Sequence, residues 1–136
     1  MDKRMKLAVK VKDYLISYTN RGFEVLQEDG CYLVYTNLKR TREKENEMNI
    51  CYYIGQDSAR IQVAVNDFKC TKEQFVRAAD AKEIKFNLNA MQADESLFLT
   101  SQVSLKELDR EIHIIAKERM ATMMEIITNI IKEADM

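Results

Sequence analysis

The period of apolar positions changes several times along this chain, and each change marks an element. Over Lys3 to Asn20, Ala8, Val11, Leu15 and Tyr18 recur three or four residues apart, with Leu7 and Tyr14 beside them. Lys3, Lys6 and Lys10 fall on the opposite side. That spacing predicts an amphipathic helix. Gly22 is the expected left-handed cap, because that conformation needs no Cβ. From Phe23 the period drops to two. Phe23–Glu28 and Cys31–Thr36 flank Asp29-Gly30, a dipeptide suited to a tight hairpin with positive φ at both central residues. A polar stretch, Asn37 to Glu47, reads as the tip of a second, longer hairpin.

Met48 to Ile54 alternates again, with Met48, Ile50, Tyr52 and Ile54 on one face and Asn49, Cys51 and Tyr53 on the other. Gly55 to Ser58 is turn chemistry. Arg60 to Asn66 is the next strand, with Ile61, Val63 and Val65 pointing one way. Thr71-Lys72-Glu73-Gln74 forms a capping box and opens a helix ending near Lys82. Ile84, Phe86, Leu88 and Ala90 then predict a half-buried strand, Gln92 to Ser96 a turn, and Leu97, Leu99 and Val103 another strand. Ser104-Leu105-Lys106-Glu107 repeats the box and opens one long helix running to Met136 without Gly or Pro.

Together these elements predict a single α+β domain spanning residues 1–136. An antiparallel sheet of about six strands carries helices on one face, in the order α-ββββ-α-ββ-α. The opposite face is expected to be free, with Tyr53, Arg60, Gln62 and Asn87 turned toward a partner.

The last helix has an apolar face covering about half its circumference, wider than the ~100° stripe needed to pack once against a sheet. Two readings follow. The helix lies in a groove between the sheet and the first helix, or part of the face meets a second copy of the chain. In the second case Met120, Met123, Met124, Ile127 and Ile131 form the homodimer interface.

Composition narrows the class without naming a chemistry. Of 136 residues, 46% are hydrophobic and 32% charged, the profile of a globular protein rather than a disordered one. No apolar run is long enough to span a bilayer. Lys10, Lys12 and Asp13 interrupt any apolar stretch behind Lys3, Arg4 and Lys6, so no secretory leader is expected. Cys31, Cys51 and Cys70 are an odd number of thiols without C-x-x-C spacing. They read as half-buried thiols of a cytoplasmic protein, neither a disulfide framework nor a zinc site.

Charge is uneven. Residues 1–44 hold ten Lys and Arg against six Asp and Glu, and the remainder eleven against sixteen. Such polarity could steer a partner.

Catalytic motifs do not emerge. His113 is the one histidine, with Asp109 four residues earlier, an arrangement in which a carboxylate can orient an imidazole. No nucleophile is tied to it by sequence. Asp67, just past a strand, is the other carboxylate considered. A pocket between sheet and helices near His113 or Asp67 is the small-molecule alternative. Gly22, Gly30 and Gly55 are used by caps and turns, leaving no phosphate loop, and no cofactor or metal is expected. Lys39, Arg40, Arg42 and Lys44 near Tyr32, Tyr35, Tyr52 and Tyr53 could grip a single-stranded nucleic acid. Glu43, Glu45 and Glu47 interleave with them, however, and the isoelectric point is about 5.9. Both argue against that function.

The order of the Asp29-Gly30 hairpin, the Thr71 helix with Phe75-Val76-Arg77-Ala78-Ala79, the strand pair and Leu97-Phe98-Leu99 leading into the last helix resembles the YbjN-like family. That family shares its fold with type III secretion chaperones. The resemblance covers nearly the whole chain as a layout. It implies a small, cytoplasmic, bacterial, non-enzymatic protein, often dimeric, linked to chaperoning or regulation. The resulting expectation is a binding module for a protein or peptide partner, with no membrane and no catalytic residues.

Overall fold

A computed structural model of the chain describes residues 2–36, 48–65, 71–80, 86–93 and 96–134. Helix α1 spans Lys3–Thr19, followed by β1 (Glu24–Glu28), β2 (Cys31–Thr36), β3 (Met48–Ile54) and β4 (Ser58–Val65). Then come α2 (Lys72–Asp80), β5 (Asn89–Ala93), β6 (Ser96–Ser104), α3 (Leu105–Arg110) and α4 (Ile112–Ala134). The six strands form one antiparallel sheet in the order β1-β2-β3-β4-β6-β5. The expected α+β architecture is therefore the observed one.

Local chemistry sets the element ends. Asp2 caps α1 by accepting the Arg4 N–H at 2.9 Å. Its other end closes at Asn20, which has φ 57° and donates its N–H to the Ile16 carbonyl. The left-handed residue is thus Asn20 and not Gly22. An asparagine tolerates that conformation, so the helix stops where the last apolar residue has been placed rather than at the nearest glycine. Asp29 and Gly30 have φ 47° and 76°, the pair of positive values the tight β1–β2 turn requires. At α2 the capping box is reciprocal: Gln74 N–H donates to Thr71 Oγ1 at 3.1 Å, and Thr71 N–H to Gln74 Oε1 at 2.7 Å.

One face of the sheet builds the core. Tyr32 and Val34 of β2, Ile50, Tyr52 and Ile54 of β3, Ile61 and Val63 of β4, and Leu97 and Leu99 of β6 are buried. They meet Leu7, Val11 and Leu15 of α1, Leu108 of α3, and Met120, Met123, Ile126, Ile127 and Ile130 of α4. Helix α1 lies over β1 and β2, α4 crosses β4 between α1 and α2, and α3 sits against β4 and β6.

Two boundaries differ from the pattern. The terminal helix is two helices: α3 ends at Glu111, with φ −120° and ψ 43°, before α4 begins. A straight rod cannot both pack its first turn on the ends of β4 and β6 and then run back across β4. The break lets Leu108 and Ile112 face inward on either side of it. The strand expected from Ile84 to Ala90 instead runs Asn89–Ala93, and Gln92, Ala93 and Ser96, expected in a turn, belong to the paired strands. Pairing with β6 fixes the register from Ala93↔Ser96 to Asn89↔Thr100. The apolar residues ahead of it serve other contacts. Phe86 lies under the Arg119 guanidinium, 5.0 Å from its ring centre, and Leu88 packs against the core. Ile84 and Lys85 lie outside the described residues, as do Cys70 and the 37–47 segment.

Candidate interaction surface

Side chains paired across antiparallel strands share a face, so the register lays out the side of the sheet turned away from the helices. One row runs Leu26, Leu33, Tyr53, Arg60, Gln102. The next runs Glu24, Tyr35, Cys51, Gln62, Thr100, Asn89. A third holds Asn49, Ala64, Phe98 and Met91. No described helix packs on these rows. The two outer strands carry the most open apolar groups: Leu26 on β1 is 45% exposed and Met91 on β5 is 58% exposed. Between them Leu33, Tyr53 and Phe98 are half-buried.

Polar groups fix the shape of this face. The Arg60 guanidinium lies 4.3 Å from the centre of the Tyr53 ring, a cation–π contact that flattens both side chains against the sheet. The Tyr35 hydroxyl donates to Glu24 Oε2 at 2.9 Å, which raises the Tyr35 pKa because ionisation would set two negative charges side by side. Burial pushes the Cys51 thiol up to about 11 from 9.0, against the lowering effect of Arg60 and of hydrogen bonding to Tyr53. The thiol is therefore neutral at physiological pH.

Of the residues expected on this face, Tyr53, Arg60 and Gln62 stand side by side on it, while Asn87 lies before β5 and outside the strand. Phe98, expected on the face of its strand opposite Leu97 and Leu99, stands there too, whereas Leu26 and Met91 are not among the residues expected there. Strand alternation marks Phe98 as facing away from Leu97 and Leu99. Met91 became readable only once the register of β5 was known.

The methionine face of α4 is divided by burial. Met120, Met123 and Ile127 are within 2% of complete burial inside one chain, so they are not available to a second copy. They fill the space between α4 and the sheet, which accounts for the width of the apolar stripe. Met124 and Ile131 are half-buried at its border.

His113 is exposed on the outer seam of α1 and α4. Its ring meets Tyr14 edge-on at 4.8 Å, and Tyr14 stacks on Tyr18. Asp109 does not orient this surface histidine: it accepts from Lys10 Nζ at 2.7 Å instead. Asp67 and the basic segment containing Lys39, Arg40, Arg42 and Lys44 lie outside the described residues. An open groove of about 410 Å³ runs between α2 and β5, floored by Phe75, Leu88 and Leu97. Among the described residues no group of three or more His, Cys, Asp or Glu could hold a metal ion, and no helix is long and apolar enough to cross a membrane.

Comparison with protein-family models, with curated proteins and with solved structures gives no match.

Proposed function

We propose that this chain is a non-catalytic protein-binding module, chaperone-like or regulatory, that receives a segment of a partner protein on its open sheet face. The observation carrying this reading is the one-sided roof. The described helices pack on one side of the sheet, while Leu26, Leu33, Tyr53, Phe98 and Met91 are displayed on the other among Arg60 and Gln62. Apolar and aromatic groups with an arginine among them are the composition that dominates binding energy at protein interfaces. The order of motifs along the chain resembles the YbjN-like family, whose members are similar in lacking enzymatic activity. Fold analogy adds less weight than the surface itself.

The test is retention of a partner purified with the chain from its native host. Leu33→Glu and Tyr53→Glu should abolish co-purification while leaving the circular dichroism spectrum unchanged. Lys117→Glu on the outer surface of α4 should have no effect. Retention of the same partner by both sheet-face variants would overturn the proposal.

A second reading is favoured by the groove between α2 and β5, whose apolar floor and volume suit a small hydrophobic ligand. It predicts that an apolar fluorophore binds wild type and is lost in Leu88→Gln. Equal binding by the variant would remove it.

A further inference from the structure

A third surface is defined by charge. On the helical side, the first turns of α1 meet α3 in a groove of about 440 Å³. Lys3, Arg4, Lys6, Lys10 and Lys106 line it, with Leu7 and Leu105 as apolar floor and Asp109 as its one carboxylate. The five cations are not equivalent. Lys10 is engaged by Asp109, donating to both its carboxylate and its backbone carbonyl. Arg4 is engaged by Asp2 and by the Gly30 carbonyl, and lies over the Tyr32 ring. Lys3, Lys6 and Lys106 are exposed and carry no ion pair among the described residues. A protein of net charge −1 therefore gathers three free ammonium groups around two leucines. Like charges lining one groove repel one another, and a bound anion would relieve that repulsion.

We propose that this groove binds an acidic peptide segment of a partner protein. Its carboxylates would meet Lys3, Lys6 and Lys106, and one apolar side chain would rest on Leu7 and Leu105. Charge complementarity selects an anion, and the leucine floor selects a peptide over a nucleic acid. The groove is lined by no aromatic ring on which a base could stack. Its one arginine, the side chain whose planar fork suits phosphate, already has partners in the chain. This site is separate from the open sheet face and does not depend on it.

The experiment is fluorescence anisotropy on the full chain, using a short dye-labelled peptide of glutamates with a central leucine. The controls are the same peptide with every glutamate replaced by glutamine, and an oligothymidylate of similar length. Wild type should bind the acidic peptide at least about tenfold more tightly than the glutamine version. Raising the salt from about 0.05 M to about 0.5 M should remove most of that difference. Lys6→Glu with Lys106→Glu should weaken binding by about tenfold or more. The corresponding Gln pair should give a smaller loss in the same direction. Leu33→Glu on the sheet face should leave the affinity unchanged. Equal affinity for the two peptides, no loss in the lysine variants, tighter binding of the oligothymidylate, or loss on Leu33→Glu would each overturn the proposal.

Discussion

Tyr52 in the middle of β3 donates its hydroxyl to the backbone carbonyl of Ala116 in α4, joining sheet to helix through the centre of the core. Both residues are completely buried. A buried phenol must find an acceptor, and a helical carbonyl has a lone pair to spare once its own helix bond is made. The bond thus sets where α4 lies along β3 as well as contributing to stability.

Tyr52→Phe keeps the ring and deletes the bond. The Ala116 carbonyl keeps its place in the helix, so the loss should be about 1 kcal/mol, or a fall of about 4 °C in Tm. Thermal denaturation followed by circular dichroism checks this. An unchanged Tm would mean that packing alone positions α4.

The same burial makes the fold sensitive to alkali. Desolvation raises the Tyr52 pKa well above its ordinary 10.0, and raises that of Cys51 to about 11. Tyr53, partly desolvated, moves in the same direction. For each group the unfolded chain gives up its proton at a lower pH than the folded chain. Between the two values the unfolded state binds fewer protons, so unfolding becomes easier as pH rises. These contributions are complete below about pH 9, begin to be lost there, and continue to fall through pH 11 and beyond. Urea denaturation from pH 7 to 11 should show a plateau followed by a decline. In Tyr52→Phe the decline should be shallower, so the two proteins converge in stability at high pH.

Much of this fold could be read from periodicity because local and tertiary demands agree. Asp29-Gly30, Thr71 with Gln74, and the alternation of β3 each state in a few residues what the whole structure then uses. The break at Glu111 carries no such mark. It answers the geometry of α3 and α4 against the sheet, and neither Gly nor Pro is needed to make it. Periodicity puts β5 too early in the chain because Phe86 and Leu88 are apolar for contacts with Arg119 and the core rather than for a strand face. Tyr53, Arg60 and Gln62 could be assigned to the open face from alternation alone. The basic groove could not, since Lys106 comes to Lys3 and Lys6 only through the packing of α3 beside α1.

Met123 and Met124 are neighbours in sequence with different roles. Met123 is fully enclosed by the sheet and the other helices, whereas Met124 lies at the border of the core. Met123→Ala should cost about 2–5 kcal/mol through lost contacts and the cavity left behind. Met124→Ala should cost well under half as much. Both losses should be independent of protein concentration, because the contacts lie within one chain. Melting curves at several concentrations check this. A cost for Met123→Ala that disappears on dilution would instead assign the methionine to a contact between copies.

Cys51 offers a chemical reporter for the open face. It lies between Tyr35 and Gln62 in the central row, and burial holds its thiol near pKa 11. Alkylation proceeds through the thiolate, so the reactive fraction at pH 8 is about 100-fold below that of an ordinary thiol at 9.0. In a Cys31→Ser, Cys70→Ser protein, iodoacetamide should label Cys51 about 100-fold more slowly than it labels the same chain unfolded in urea. Arg60→Ala should slow the reaction further, because it removes the positive charge that favours the thiolate. A partner seated on the sheet would add steric exclusion to this chemical protection. Labelling measured by mass spectrometry should then fall again when the partner is present, and a rate that partner binding leaves unchanged would place the contact elsewhere on the molecule.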